Sequence, residues 1–107
     1  MSVIEGKLDN FDQLTKEGLA LVDFNADWCG PCQMLKPTVE ELADDLKSAG
    51  SDTKVISVNI DDEEEIADRF GVEGIPCLVL LKNGEEINRS VGVVPKKKLE
   101  KMLKKGA

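Results

Sequence analysis

The sequence contains no histidine. Histidine is the commonest acid–base residue and the commonest nitrogen ligand for metals, so its absence excludes Ser–His and Cys–His nucleophile pairs. Proton transfer in this chain must therefore use carboxylates, thiols, lysines or water.

Long apolar runs are also missing. A run such as Leu78 to Leu81 is far too short to cross a bilayer, and the N-terminus has no basic stretch followed by an apolar one. We therefore expect a cytoplasmic protein without a membrane segment.

Positive charge is scarce, with 14 Lys and Arg against 21 Asp and Glu and a net charge of -7. Such a balance repels a phosphate backbone, which argues against nucleic acid as a partner. With 107 residues, 41% of them hydrophobic, the chain can bury its own core. We expect a single domain spanning residues 1–107 that acts as a monomer.

Three cysteines are too few for a disulfide framework in a chain of this size, because one is left over. Two of them form the C-x-x-C pair Cys29 and Cys32. The cysteines are therefore better interpreted as reactive groups than as disulfides that stabilise the fold.

The pattern of apolar residues predicts the element order β-α-β-α-β-α-β-β-α. Leu19 to Phe24 is typical of a central strand, and a helix is expected from about Pro31 to Ser48, kinked at Pro37. Met34 is expected on the buried face of that helix, and Asp61 or Asp62 at the N-cap of the next one. The turn Asn83-Gly84 predicts a hairpin. The fold class is α/β, with a mixed central sheet and helices on both faces.

The dithiol lies at the predicted start of the long helix. There the positive end of the helix dipole and unpaired N–H groups stabilise a thiolate. Cys29, the outermost thiol, is expected to attack a partner disulfide, and Cys32 to resolve the mixed disulfide. Gly30 allows close approach of a partner chain, and Pro31 suits the first helical turn.

Two alternatives remain for the C-x-x-C pair. Zinc normally needs four ligands, whereas the chain offers three cysteines and no histidine. A purely structural disulfide fits poorly in a cytosolic protein. We therefore expect neither a metal nor an organic cofactor.

Asp23 interrupts the apolar central strand. A buried carboxylate without a partner has a raised pKa, which would make Asp23 a candidate proton acceptor for Cys32. The alternative is an Asp at a strand end that bonds a loop amide.

Several motifs together resemble the thioredoxin family over almost the whole chain. They are Leu21-Val22-Asp23-Phe24, Ala26-Asp27-Trp28-Cys29-Gly30-Pro31-Cys32, Asn59-Ile60-Asp61, Gly74-Ile75-Pro76 and Lys82-Asn83-Gly84-Glu85. The resemblance implies the thioredoxin fold, a cis peptide before Pro76, disulfide-containing proteins as substrates and a thioredoxin reductase as electron donor. It also implies that Asp23 is the family's buried acid.

The same resemblance implies a partner-binding surface. Trp28 would shape it, and Ile75, Pro76 and Gly92 would form a groove for an extended partner segment. The alternatives are a core role for Trp28 and ordinary turn chemistry for Gly92.

The chain departs from the family pattern at three positions. Asn25 stands where many members carry a second tryptophan, Ser57 where many carry a lysine near the buried acid, and Cys77 where threonine is usual. Without that lysine, neither the proton affinity of Asp23 nor the reduction potential can be transferred from the family. Strand alternation points Cys77 away from the dithiol, which predicts an inert buried thiol, with redox regulation as the alternative.

Two other functions are compatible with the sequence. One is a binding module that uses the fold as a scaffold without turnover, and the other is a dedicated electron donor to one metabolic enzyme. The intact dithiol together with Asp23 favours a general protein-disulfide reductase.

Overall fold

The computed structural model describes residues 2–107. Its elements follow the predicted order. They are β1 Val3–Glu5, α1 Phe11–Thr15, β2 Leu19–Asn25, α2 Gly30–Ser48, β3 Lys54–Asn59, α3 Glu64–Arg69, β4 Cys77–Lys82, β5 Glu85–Val91 and α4 Lys96–Gly106.

The sheet order is β1-β3-β2-β4-β5, so the apolar strand β2 is central, as its sequence predicts. Strands β1, β3 and β2 run parallel, while β4 and β5 are antiparallel to their neighbours. The mixed sheet is therefore confirmed. In the β2–β3 pairing Asp23 lies beside Ser57, which brings the buried acid next to one of the departures from the family pattern.

Two hydrophobic cores lie on opposite faces of the sheet. Alternation along β2 sends Val22 and Phe24 to a core shared with α1 and α3, and Leu21 to a core shared with α2 and α4. Helices thus cover both faces, as predicted. Because Asp23 alternates with Val22 and Phe24, its side chain projects towards α2.

The predicted hairpin is confirmed. Asn83 and Gly84 have φ angles of 52° and 84°, which is the positive-φ pair of a type I′ turn. The Asn83 side chain also accepts a hydrogen bond from the backbone N–H of Gly18 at 2.8 Å. This contact ties the hairpin to the start of the central strand.

Two local predictions are wrong. Neither Asp61 nor Asp62 caps α3; the N-cap is Glu63, whose side chain makes no capping hydrogen bond. The backbone N–H groups of both aspartates instead donate to Asn59 Oδ1, at 2.9 and 3.3 Å. This side chain at the end of β3 holds the loop in a turn, so the helix starts later than the acidic run suggests.

The second wrong prediction concerns Met34, whose side chain is 70% exposed. The buried residues of α2 follow helical spacing and include Leu35, Val39, Leu42 and Ala43. Met34 is rotated by about 100° about the helix axis from its neighbour Leu35, which turns it away from the buried face. Helix α2 continues through Pro37, and the kink there stays a prediction.

The edges of the sheet differ from its centre. Strand β1 has only three residues, and the edge strand β5 is mostly exposed. Within β5, Arg89 pairs with Glu86 at 2.6 Å and donates a hydrogen bond to the backbone oxygen of Phe70 at 2.7 Å. In the part of the chain that the structure describes, no helix has the length and apolar character needed to cross a membrane.

Candidate active site

The dithiol lies between the end of β2 and the first turn of α2. Cys29 is the N-cap of α2 and has an extended backbone, and Pro31 occupies the first turn, where its missing N–H leaves no helical bond unmade. Cys29 and Cys32 are joined as a disulfide with a Cα–Cα distance of 5.2 Å. The C-x-x-C spacing at a helix start therefore places the two sulfurs in bonding contact.

The helix N-terminus is directed at the sulfur of Cys29. The backbone N–H of Cys32 donates a hydrogen bond to Cys29 Sγ at 3.1 Å. A hydrogen bond from a first-turn N–H, added to the positive end of the dipole of a 19-residue helix, stabilises negative charge on that sulfur. The local fold thus supplies the electrostatics that a reactive thiolate needs.

Exposure does not distinguish the two cysteines. Cys29 and Cys32 are each 4% exposed, and the disulfide packs against Ala26, Ile60 and Ile75. Accessible area therefore gives no support to the prediction that Cys29 is the outermost thiol. The hydrogen bond to Cys29 Sγ is the asymmetry that the structure provides.

A loop before β4 faces the disulfide. The peptide bond between Ile75 and Pro76 is cis, as the resemblance implies, and the backbone oxygen of Ile75 lies 3.9 Å from Cys29 Sγ. The backbone N–H of Gly92 donates to the oxygen of Pro76 at 2.8 Å, and Gly92 has a φ of 95°, which favours glycine. Ile75, Pro76 and Gly92 are thus brought together beside the dithiol.

Asp23 is 7% exposed, and its Oδ1 is buried without a hydrogen-bond partner. Burial raises the pKa of Asp23 to about 7, and the neighbouring Asn25 amide opposes part of that rise. The carboxyl group therefore changes protonation near neutral pH, as a proton acceptor for a thiol must.

Asn25 and Ser57 occupy the space beside the acid. The Asn25 Nδ2 donates to Ser57 Oγ at 2.8 Å and to the backbone oxygen of Asp23 at 3.0 Å. The side chains that replace the family's tryptophan and lysine therefore bond to each other. They contribute no charge to the surroundings of Asp23.

A cavity of about 340 Å³ connects Asp23 with the second cysteine. Asp23 and Cys32 both line it, together with Ser57 and Asn25. Its volume can hold several water molecules, each of which occupies ~30 Å³ in the liquid. The cavity provides a path along which a proton can pass between Asp23 and solvent.

Three large apolar side chains next to the dithiol or to Gly92 in sequence are exposed. Trp28 is 68% exposed, which contradicts a core role for it, and Val91 and Val93, which flank Gly92, are also exposed. Met34 of α2 is exposed as well, which is where the prediction of a buried position fails.

The Trp28 indole has a hydrogen-bond partner that was not predicted from the sequence. Its Nε1 donates a hydrogen bond to Asp61 Oδ2 at 2.8 Å. Asp61 lies in the turn held by Asn59, far from Trp28 in sequence. The motif Asn59-Ile60-Asp61 was the available signal, but only the β2–β3 pairing brings it to Trp28.

Cys77 is 1% exposed and packs with Val79 and Leu81 in the core on the α1–α3 side of the sheet. Burial raises the pKa of the Cys77 thiol, with a smaller opposing effect from Arg89. The predicted orientation away from the dithiol is confirmed.

A redox-active cysteine pair at a helix N-terminus, facing a cis-proline loop on a mixed sheet, defines a thiol–disulfide oxidoreductase. A family model described as Thioredoxin matches residues 2–105. The chain belongs to the thioredoxin family, and its activity is the exchange of its dithiol with protein disulfides through Cys-Gly-Pro-Cys.

Individual relatives support the same family assignment. The chain is 38% identical to a thioredoxin of Bacillus subtilis over 105 residues, which covers 98% of both chains. It is 44% identical to a thioredoxin of Chlamydia muridarum over 97 residues, 91% of each. The crystal structure of a thioredoxin from Malassezia sympodialis superposes with a TM-score of 0.86 at 32% identity, covering 98% of this chain and 90% of that one.

Proposed function

We propose that Cys29 is the nucleophile and Cys32 the resolving thiol in the reduction of partner disulfides. The Cys29 thiolate attacks one sulfur of the partner disulfide and releases the other as a thiolate, leaving a mixed disulfide. The Cys32 thiolate then attacks Cys29 Sγ, which releases the partner's second sulfur and closes the Cys29–Cys32 disulfide. The hydrogen bond from the Cys32 N–H to Cys29 Sγ is the observation that carries this assignment.

Asp23 accepts the proton of Cys32 in the second step. The support is its burial, the pKa of about 7 and the cavity that Asp23 and Cys32 line together. A base with a pKa near the working pH is both available to take a proton and able to return it to water.

Partner chains bind at the apolar surface around the disulfide. Trp28 provides an exposed aromatic face, while Gly30 and Pro31 are exposed beside Cys29. An extended segment pairs with the backbone at Ile75, and the half-buried Gly92 leaves room for it. Pro76 and Gly92 hold the two loops of this groove together.

A thioredoxin reductase returns the electrons. We place the protein in the cytoplasm as a single domain over residues 1–107 and as a monomer, with neither nucleic acid nor membrane as a partner. The support is the family membership, the use of cysteine for chemistry and the net charge of -7.

Reduction of insulin disulfides by dithiothreitol tests the proposal. The protein should accelerate insulin precipitation strongly, and Cys29→Ser should abolish the acceleration. A rate no faster than dithiothreitol alone would favour the scaffold alternative. In a lysate, Cys32→Ser should trap many mixed disulfides, whereas capture of one enzyme alone would indicate a dedicated electron donor.

A further inference from the structure

Among the described residues that line the cavity beside Cys32, one is cationic, namely Lys36 of α2. Lys36 follows Cys32 by four positions, which places both on the same face of the helix. It is exposed, and within residues 2–107 it takes part in no side-chain hydrogen bond or ion pair of the structure. Its flexible four-carbon stem therefore leaves the ammonium group free to turn towards the cavity.

The cavity wall nearest to Asp23 cannot supply a counter-charge. Both N–H groups of the Asn25 amide are committed, one to Ser57 Oγ and one to the backbone oxygen of Asp23. Asp23 Oδ1 has no hydrogen-bond partner. The Asn25 amide offsets only part of the cost of burying a carboxylate here, so further stabilisation has to come from a group that enters the cavity.

The other charged groups that face the cavity are acidic. They come from β1, from the loops after β2 and β3, and from α2, and are Glu5, Asp27, Asp62 and Glu40. Their negative potential attracts a cation into the cavity. Lys36 is the one cation among the described residues that line the cavity.

We propose that Lys36 is a positioning residue for the proton transfer: its ammonium group enters the cavity as Asp23 ionises and holds the carboxylate as the anion that accepts the Cys32 proton. The inference rests on the proposed role of Asp23 and deepens it. The thiol proton of Cys32 passes to an Asp23 oxygen, and the resulting thiolate breaks the mixed disulfide at Cys29. Once Asp23 is neutral, it no longer attracts Lys36, and its proton leaves through the cavity to water.

The test compares Lys36→Met with Lys47→Met, which removes the same charge from α2 at an exposed position that does not line this cavity. The Asp23 carboxyl carbon is titrated by NMR in the reduced protein. In Lys36→Met the midpoint should rise by about one pH unit, and the pH profile for release of reduced partner in single turnovers should rise with it. Lys47→Met and Lys36→Arg should keep the wild-type midpoint.

Equal midpoints in Lys36→Met and the wild type would overturn the proposal. A rescue variant separates charge from packing: Ser57→Lys in the Lys36→Met background brings an ammonium group from the opposite wall and should lower the midpoint again. A raised midpoint that Lys36→Arg shares would also overturn it. Because the NMR titration needs no turnover, a wild-type protein inactive on insulin would refute the proposed function without affecting this test.

Discussion

Trp28 donates its indole hydrogen to Asp61 Oδ2 at 2.8 Å, so the exposed ring beside the disulfide has a fixed orientation. Asp61→Ala should free the ring, and KM for a protein disulfide should rise about fivefold, the equivalent of ~1 kcal/mol for one hydrogen bond. Trp28 is the only tryptophan, so its fluorescence anisotropy reports the change directly. Asp61→Asn keeps an acceptor and should behave as wild type; unchanged anisotropy in Asp61→Ala would contradict the role of this bond.

The order of thiol reactivity follows from the helix N-terminus. In the folded, reduced protein at neutral pH, iodoacetamide should label Cys29 first, because the Cys32 N–H and the helix dipole stabilise its thiolate. Peptide mapping by mass spectrometry measures the two rates. In denatured protein the rates should become similar, and preferential native labelling of Cys32 would reverse the assignment.

Asp23→Asn should stabilise the oxidised protein at neutral pH and slow the release of reduced partner. The folded pKa of about 7 exceeds the usual value of 3.8, so ionising Asp23 in the folded protein lowers its stability. This loss of stability is absent in acid, grows as the pH rises from 3.8 to about 7 and is complete above that range. The variant should gain about 2–4 kcal/mol above pH 7 and almost nothing near pH 4. Urea denaturation across this pH range measures the gain, and a constant difference would refute it.

Cys77 should behave as an inert core thiol. Ellman's reagent should find one reactive thiol in the oxidised protein only after denaturation, because Cys77 is buried on the face of the sheet opposite the dithiol. Cys77→Ser should keep reductase activity while losing about 1–3 kcal/mol of stability, since it buries a hydroxyl. A native disulfide from Cys77 to Cys29 or Cys32 would instead support redox regulation.

Gly6 should tolerate no side chain. A Cβ at this position would lie 2.7 Å from Ile56 Cγ2 and 3.0 Å from Val58 Cγ2, and both methyl groups sit on short branches in strand β3. Gly6→Ala should therefore lower the free energy of unfolding by about 1–3 kcal/mol. Gly30→Ala meets open space and should leave stability unchanged or increased; equal stabilities for the two variants would contradict the packing argument.

The sequence predicted those features that depend on local patterns. Leu19–Asn25 is a central strand because its apolar run suits burial on both faces, and Asn83 and Gly84 form a turn because they accept positive φ. The dithiol at the start of α2 follows from spacing alone. The position of Cys77 also followed from strand alternation.

The features that escaped prediction depend on tertiary contacts. Asn59 rather than an aspartate organises the loop before α3, because its side chain reaches two backbone N–H groups only in the folded turn. Met34 looks like a core residue until the exact phase of α2 against the sheet is known. The bond between Trp28 and Asp61 requires the register of β2 and β3, which composition does not reveal.

The two edges of the sheet affect whether copies of this protein can add to one another. An open edge is a template on which a foreign strand can add, leading to swapped dimers or fibrils. Here β1 offers three residues, and β5 presents the Glu86–Arg89 pair to solvent. We therefore expect concentrated solutions of the protein to resist aggregation by strand addition.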